Sequence, residues 1–151
     1  MSLSEGAKAP AFSLPASGGR TVSSAMLQGK SYVLYFYPKA DTSGCTKEAQ
    51  AFQASLAAFQ AKGVEVIGVS RDPLKALDKF AEKYGLSFPL ASDEAGRVTE
   101  AYGVWVEKSM YGKKYMGIER STFLVGPDGR VAKAWPKVKV DGHAEDVLNS
   151  V

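Results

Sequence analysis

The stretch from Tyr32 to Val69 constrains the fold of this chain more than any other. Tyr32-Val33-Leu34-Tyr35-Phe36-Tyr37 is an unbroken β-favouring run, the pattern of a central strand buried on both faces. Pro38 ends it. After a loop from Lys39 to Gly44, the apolar residues Ala49, Phe52, Leu56 and Phe59 recur at spacings of three and four, which marks one face of a helix. Gly63 stops that helix, and Val64-Glu65-Val66-Ile67-Gly68-Val69 reads as a second strand. A β-α-β unit of this kind requires two parallel strands and a right-handed crossover.

The flanks extend the pattern. Ala9 to Leu14 and Arg20 to Ser23 surround a turn signal at Pro15-Ala16-Ser17-Gly18-Gly19, which predicts an N-terminal hairpin. Asp72-Pro73 opens a second helix through about Tyr84, with Leu74, Leu77, Phe80 and Ala81 apolar. A short strand at Phe88 to Leu90 and a helix from about Glu94 to Tyr102 follow. Ser121 to Val125 and Val131 to Trp135 bracket Gly126-Pro127-Asp128-Gly129, a hairpin signal. His143 to Val151 reads as a terminal helix. A β-α-β half followed by a β-β-α half is the layout of a thioredoxin-like α/β fold, a central mixed sheet with helices on both faces.

One domain over residues 1–151 is expected, since 151 residues that are 45% apolar can bury a core of ordinary size. The formal charge of +3 falls short of a nucleic-acid footprint, and basic residues such as Lys75, Lys79 and Lys83 alternate with acids as on a solvated helix face. One cysteine excludes an intramolecular disulfide and a site built from several thiolates, so no metal or other cofactor is expected. No run approaches the ~18 apolar residues of a membrane span, and Met1 to Lys8 has no hydrophobic signal region. These points predict a cytoplasmic protein without a nucleic-acid or membrane partner.

The chemistry concentrates in Pro38-Lys39-Ala40-Asp41-Thr42-Ser43-Gly44-Cys45-Thr46-Lys47-Glu48. This stretch leaves the first central strand and opens the crossover helix. It therefore lies at the carboxyl edge of the sheet, where ligands bind in open α/β folds, and at a helix start, where free amides and the dipole favour negative charge. Thiols so placed are ionised more readily than free cysteine. Helical spacing puts Cys45 on the stripe of Ala49, Phe52, Leu56 and Phe59, facing a partly apolar pocket that would need a cation to hold a charged sulfur. Buried free cysteines are commonly small hydrophobes. The helix-start address, the Thr42 hydroxyl and Gly44, whose backbone can approach a ligand, favour a reactive thiol instead.

Pro38, Thr42 and Cys45 form a Pro-x-x-x-Thr-x-x-Cys pattern, preceded by Tyr35-Phe36-Tyr37 and followed by Gly117-Ile118-Glu119-Arg120-Ser121-Thr122-Phe123. This combination resembles the peroxiredoxins, in particular the bacterioferritin-comigratory protein or peroxiredoxin Q subfamily, from about Gly6 to Leu148. The resemblance implies a thiol-dependent peroxidase with antioxidant function. Cys45 would attack the terminal peroxide oxygen and become a sulfenic acid. Thr42 would align sulfur or peroxide by hydrogen bonding. Arg120 would stabilise thiolate and leaving oxygen. The amides of Gly44 and Cys45 would complete the polar pocket, and Pro38 would shield the sulfur from water. Glu48 would orient Arg120 or serve only as a first-turn acid at the helix start.

Many members of the subfamily carry a resolving cysteine five residues after the first, or on the following helix. Here Gln50 holds the first position, and Asp72 to Tyr84, with Ala81 among the plausible sites, contains none. Ser43 stands where proline is common. Residues five apart on an intact helix have Cα atoms roughly 8–9 Å apart, beyond the ~7 Å limit of a disulfide, so relatives with that spacing must unwind the helix. Either this is a one-cysteine enzyme reduced by an external thiol, of the thioredoxin, glutaredoxin or glutathione kind, or a native cysteine has been replaced. The alternative is a redox sensor or binding module with slow Cys45 oxidation.

Other cysteine chemistries fit less well. Thr42 replaces the first cysteine of a Cys-x-x-Cys reductase, and Ala51 the arginine of a Cys-x5-Arg phosphatase loop. A hydrolase would need His143, which reads as a surface residue at a polar helix start. Val104 to Met116 is expected to be an aromatic and Met-rich loop that packs over the core, with a wall of the peroxide pocket or a partner surface as the alternatives. Trp135 to Val140, with alternating lysines, is expected to be a protected edge strand, consistent with a monomer.

Overall fold

The computed structural model describes residues 2–151. Its strands and helices alternate as β1 (Ser13–Ala16), β2 (Arg20–Ser23), β3 (Ser31–Phe36), α1 (Ser43–Ala61), β4 (Val64–Ser70), α2 (Leu74–Tyr84) and β5 (Leu90–Ser92). The second half contains α3 (Arg97–Ala101), β6 (Trp105–Met110), β7 (Lys113–Ile118), β8 (Ser121–Val125), β9 (Val131–Trp135) and α4 (His143–Asn149). Seven strands form one mixed sheet in the order β2-β1-β5-β4-β3-β8-β9. Strands β5, β4 and β3 are parallel, and β8 runs antiparallel to β3.

The unbroken apolar run on β3 is explained by two cores. Val33, Tyr35 and Tyr37 point toward α1, α2 and α4, packing with Phe52, Phe59, Phe80 and Val147. Tyr32, Leu34 and Phe36 point to the other face, against Val98 and Tyr102 near α3 and against Phe123. Each such side chain, fully buried, contributes about 1.5–3 kcal/mol of transfer free energy. The thioredoxin-like layout with helices on both faces is therefore present.

Several boundaries differ from expectation. The first strand begins at Ser13 rather than Ala9, and Pro15 and Ala16 belong to it. Only Ser17 to Gly19 turn, with both glycines at positive φ. The Phe88 to Leu90 strand is displaced to Leu90–Ser92, where its residues pair with β4 and β1. The third helix is shorter, because the buried Asp93 carboxylate accepts the amides of Val98 at 3.2 Å and Thr99 at 2.8 Å, while Gly96 turns the chain at φ +80°. The expected edge strand Trp135 to Val140 ends at Trp135. Pro136 has no amide to donate, Lys137 sits at φ +51°, and Val138 donates instead to the Arg120 carbonyl at 2.8 Å.

The largest correction concerns Val104 to Met116. It is not a packed loop but most of the β6–β7 hairpin, a two-stranded ribbon separate from the main sheet. Its turn residues, Tyr111 and Gly112, have φ of +52° and +78°. Positive φ at both turn positions matches the right-handed twist of a tight hairpin.

Candidate functional site

The carboxyl ends of β3 and β4 converge on the start of α1, and two carboxylates fasten the loop between them. Asp72 accepts the Ala40 amide and the Ser70 hydroxyl, both at 2.8 Å. Asp41, at φ +59°, accepts the Tyr84 hydroxyl at 2.7 Å and the Lys83 ammonium at 3.0 Å. Those two partners hold the Asp41 carboxyl below its ordinary range. The loop is thus tied to β4 and α2, and it enters α1 at Thr42, whose φ of −96° and ψ of 160° are extended.

Cys45 lies on the first turn of α1 and is 1% exposed. Arg120, on the link between β7 and β8, donates from Nη2 to Cys45 Sγ at 3.3 Å and from Nη1 to Glu48 Oε1 at 2.7 Å. Glu48 is one turn along the same helix face and equally buried. Burial pushes its carboxyl up to about 7, although the Arg120 charge pulls the other way. Its Oε2, with the Tyr35 and Tyr37 hydroxyls, has no hydrogen-bond partner among the described residues. Burial also raises both tyrosines.

Gly44 has a reason beyond backbone access. A Cβ at this position would stand 3.2 Å from Arg120 Nη2 and 4.0 Å from Val140 Cγ2. The absent side chain is what lets the guanidinium lie against the helix start. Thr42 makes no hydrogen bond to the sulfur. Its hydroxyl donates to the Lys39 carbonyl at 2.7 Å, which leaves the oxygen lone pairs as acceptors. Pro38 is half-buried and walls a cavity of about 400 Å³ with Trp105, Lys108, Tyr115 and Met116. Lys108 folds over Gly117, where a Cβ would come within 3.3 Å of its chain. Burial and the Arg120 charge lower its ammonium. A larger cavity, about 550 Å³, lies by Lys8, Gln28, Tyr32 and Asp128 at the opposite ends of the strands, away from Cys45.

His143 is not the surface residue expected. It is 5% exposed, packs edge-on against Phe52 and Trp135, and its Nε2 lies 2.8 Å from Thr122 Oγ1. Burial pushes it down to about 4. It ties α4 to β8 inside the core. Among the described residues no cluster of three or more His, Cys, Asp or Glu side chains could hold a metal ion.

Comparison with known proteins places this arrangement. The AhpC/TSA family model matches residues 6–134. The chain belongs to the AhpC/TSA family, and it is a peroxiredoxin. It is 50% identical over 148 residues to a putative peroxiredoxin bcp of Coxiella burnetii, covering 98% of both chains. It is 44% identical over 151 residues to peroxiredoxin Bcp of Bacillus subtilis, covering 100% of this chain and 96% of the relative. Among solved structures, peroxiredoxin Q of Xanthomonas campestris superposes with a TM-score of 0.88 at 47% identity, over 92% of this chain and 88% of that one. A cysteine-to-serine variant of Xylella fastidiosa PrxQ gives 0.93 at 41% identity, over 98% and 94%. The Xanthomonas protein has been solved with either of two different cysteines changed to serine, whereas this peroxiredoxin has one cysteine in all.

The fold of this peroxiredoxin brings Cys45, Arg120, Glu48 and Gly44 into contact, and Thr42 stands one turn before the sulfur on the same helix start. Pro38 reaches the neighbouring cavity wall. Sequence reasoning passed over Asp41, Asp72 and Lys108. Only Asp41 left a trace, because Asp tolerates the left-handed conformation that such a loop needs.

Proposed function

We propose that this peroxiredoxin is a one-cysteine peroxidase, a single domain over residues 1–151 that acts as a cytoplasmic monomer. The contact that carries this reading is the Arg120 guanidinium, held by Glu48 at 2.7 Å and donating to Cys45 Sγ at 3.3 Å. A fixed cation beside a buried sulfur needs no reorganisation when negative charge moves onto the leaving oxygen. The amides of Ser43, Gly44 and Cys45 precede the first intrahelical bonds of α1, and they supply further donors at the same place.

The step follows from these groups. The Thr42 oxygen accepts a hydrogen bond from the hydroperoxide O–H, which turns the terminal oxygen toward the sulfur. The Cys45 thiolate attacks that oxygen, the S–O bond forms and the O–O bond breaks. The terminal oxygen keeps its proton and becomes the sulfenic acid. The departing alkoxide or hydroxide is stabilised by Arg120 and takes from solvent the proton the thiol had released. Two electrons pass from sulfur to peroxide. Pro38 limits water at the sulfur, and Glu48 sets the guanidinium.

Hydrogen peroxide and organic hydroperoxides are the proposed substrates. The Xanthomonas campestris relative was solved in a study of alkyl peroxide reduction, which supports the organic class. The sulfenic acid is then reduced by an external thiol, because no second cysteine exists in the chain. One equivalent of peroxide should give a Cys45 adduct with dimedone in intact-mass analysis, without an intramolecular disulfide. An unlabelled Cys45 sinks the reading. A rate with peroxide no greater than that of free cysteine at equal thiolate fraction would favour a slow redox sensor instead.

A further inference from the structure

The β6–β7 ribbon leaves an unusual surface. Met110, Tyr111, Tyr115 and Met116 are four of the five large apolar side chains exposed among the described residues, and Tyr111 at the tip is 98% exposed. The ribbon's charged residues are Lys108, Lys113, Lys114 and one acid, Glu107, which pairs with Lys114 at 3.9 Å. An apolar tip is therefore flanked by excess positive charge.

We infer that this tip docks the protein on anionic lipid surfaces. Tyrosine sits readily at the headgroup level of a bilayer. Methionine can enter the acyl region while lysine keeps its ammonium among the anionic headgroups. The shape favours a lipid over a folded partner. Protein interfaces bury about 800 Å² per side around aromatic anchors seated in packed pockets, and a two-residue turn projecting from a separate ribbon offers little of that. A bilayer accommodates a projecting tip.

The site is continuous with this surface. Tyr115 and Met116 also wall the 400 Å³ cavity that Pro38 borders. A tip seated in the headgroup layer brings that cavity to the lipid boundary, where hydroperoxides on apolar chains concentrate. The expectation of no membrane partner rested on the lack of a spanning segment. No helix among the described residues is long and apolar enough to cross a membrane, but surface docking requires none.

Sedimentation of the full chain with vesicles tests this. Equal phosphatidylglycerol and phosphatidylcholine is compared with phosphatidylcholine alone, at low and at high salt. Binding is expected to the anionic vesicles at low salt and to be lost at high salt. Each lysine near such a surface is worth roughly five-fold in partitioning, so the double variant Lys113→Glu/Lys114→Glu should bind at least roughly thirty-fold more weakly. Tyr111→Ser should also weaken binding, and both variants should keep wild-type turnover of hydrogen peroxide. No binding to anionic vesicles, equal binding to neutral ones, or unaltered binding by the variants overturns the inference. A raised KM for an acidic thiol protein in the same variants, without vesicle binding, overturns it in favour of a protein partner.

Discussion

Glu48 and His143 should give this protein a stability profile in which two opposite slopes overlap, and replacing either residue should expose the other. Burial pushes the Glu48 carboxyl from 4.5 up to about 7. Between those values the unfolded carboxyl is ionised while the folded one retains its proton, so stability falls as pH rises. At roughly 1.4 kcal/mol per unit the fall is on the order of 3 kcal/mol. Burial pushes His143 from 6.5 down to about 4. In that window the unfolded imidazole takes up a proton that the folded one refuses, so stability is lost as pH drops, by up to about 3 kcal/mol. From pH 4.5 to 6.5 the two contributions oppose. Glu48→Gln preserves an acceptor for Arg120 and leaves only the His143 rise, whereas His143→Asn leaves the Glu48 fall. Urea unfolding under reducing conditions at pH 4.5, 5.5, 6.5 and 7.5 measures both. Relative to wild type, Glu48→Gln should gain about 3 kcal/mol between the extremes. Parallel curves for the two proteins would refute the reasoning, because Glu48 would then not exchange its proton in this window.

The site makes two further predictions. Gly44→Ala places a methyl 3.2 Å from Arg120 Nη2, so the guanidinium must retreat from the sulfur. Peroxide turnover should drop roughly tenfold with unchanged helix content by circular dichroism, and an undiminished rate would remove Arg120 placement from the mechanism. Thr42→Val deletes the acceptor, whereas Thr42→Ser keeps it. The valine variant should lose roughly 10²-fold in kcat/KM and the serine variant little, and equal losses in stopped-flow assays would assign Thr42 to loop structure alone.

The parallel strands were legible because β3 and β4 are buried on both faces, and a run such as Tyr32 to Tyr37 has few other uses. The place of Cys45 was legible for a local reason, since Gly44-Cys45 follows a strand and opens an apolar helical stripe. The ribbon was not. Its alternation is blurred by lysines on both strands, and its turn carries Tyr111 where Asn or Asp ordinarily marks a tight hairpin. His143 was misread for a related reason. Its neighbours Asp141, Gly142 and Glu145 are polar and exposed, and nothing local announces that Phe52, Trp135 and Thr122 close around the ring. The Arg120 contact spans 75 residues of sequence, so only the resemblance to a family could pair it with the sulfur.

The intact first helix shapes the kinetics of the whole cycle. In a chain that carries its own resolving thiol, oxidised sulfur is intercepted at a rate set by local unwinding and independent of what surrounds the protein. In the one-cysteine cycle proposed for this chain, Phe52 on α1 need not leave Tyr35, on which it stacks at 4.6 Å, and the second half-reaction is a collision. Its speed scales with the concentration of reducing thiol. When peroxide arrives faster than thiol, oxidised protein accumulates, and the ratio of the two forms becomes a running measure of the balance between oxidant and reductant around it.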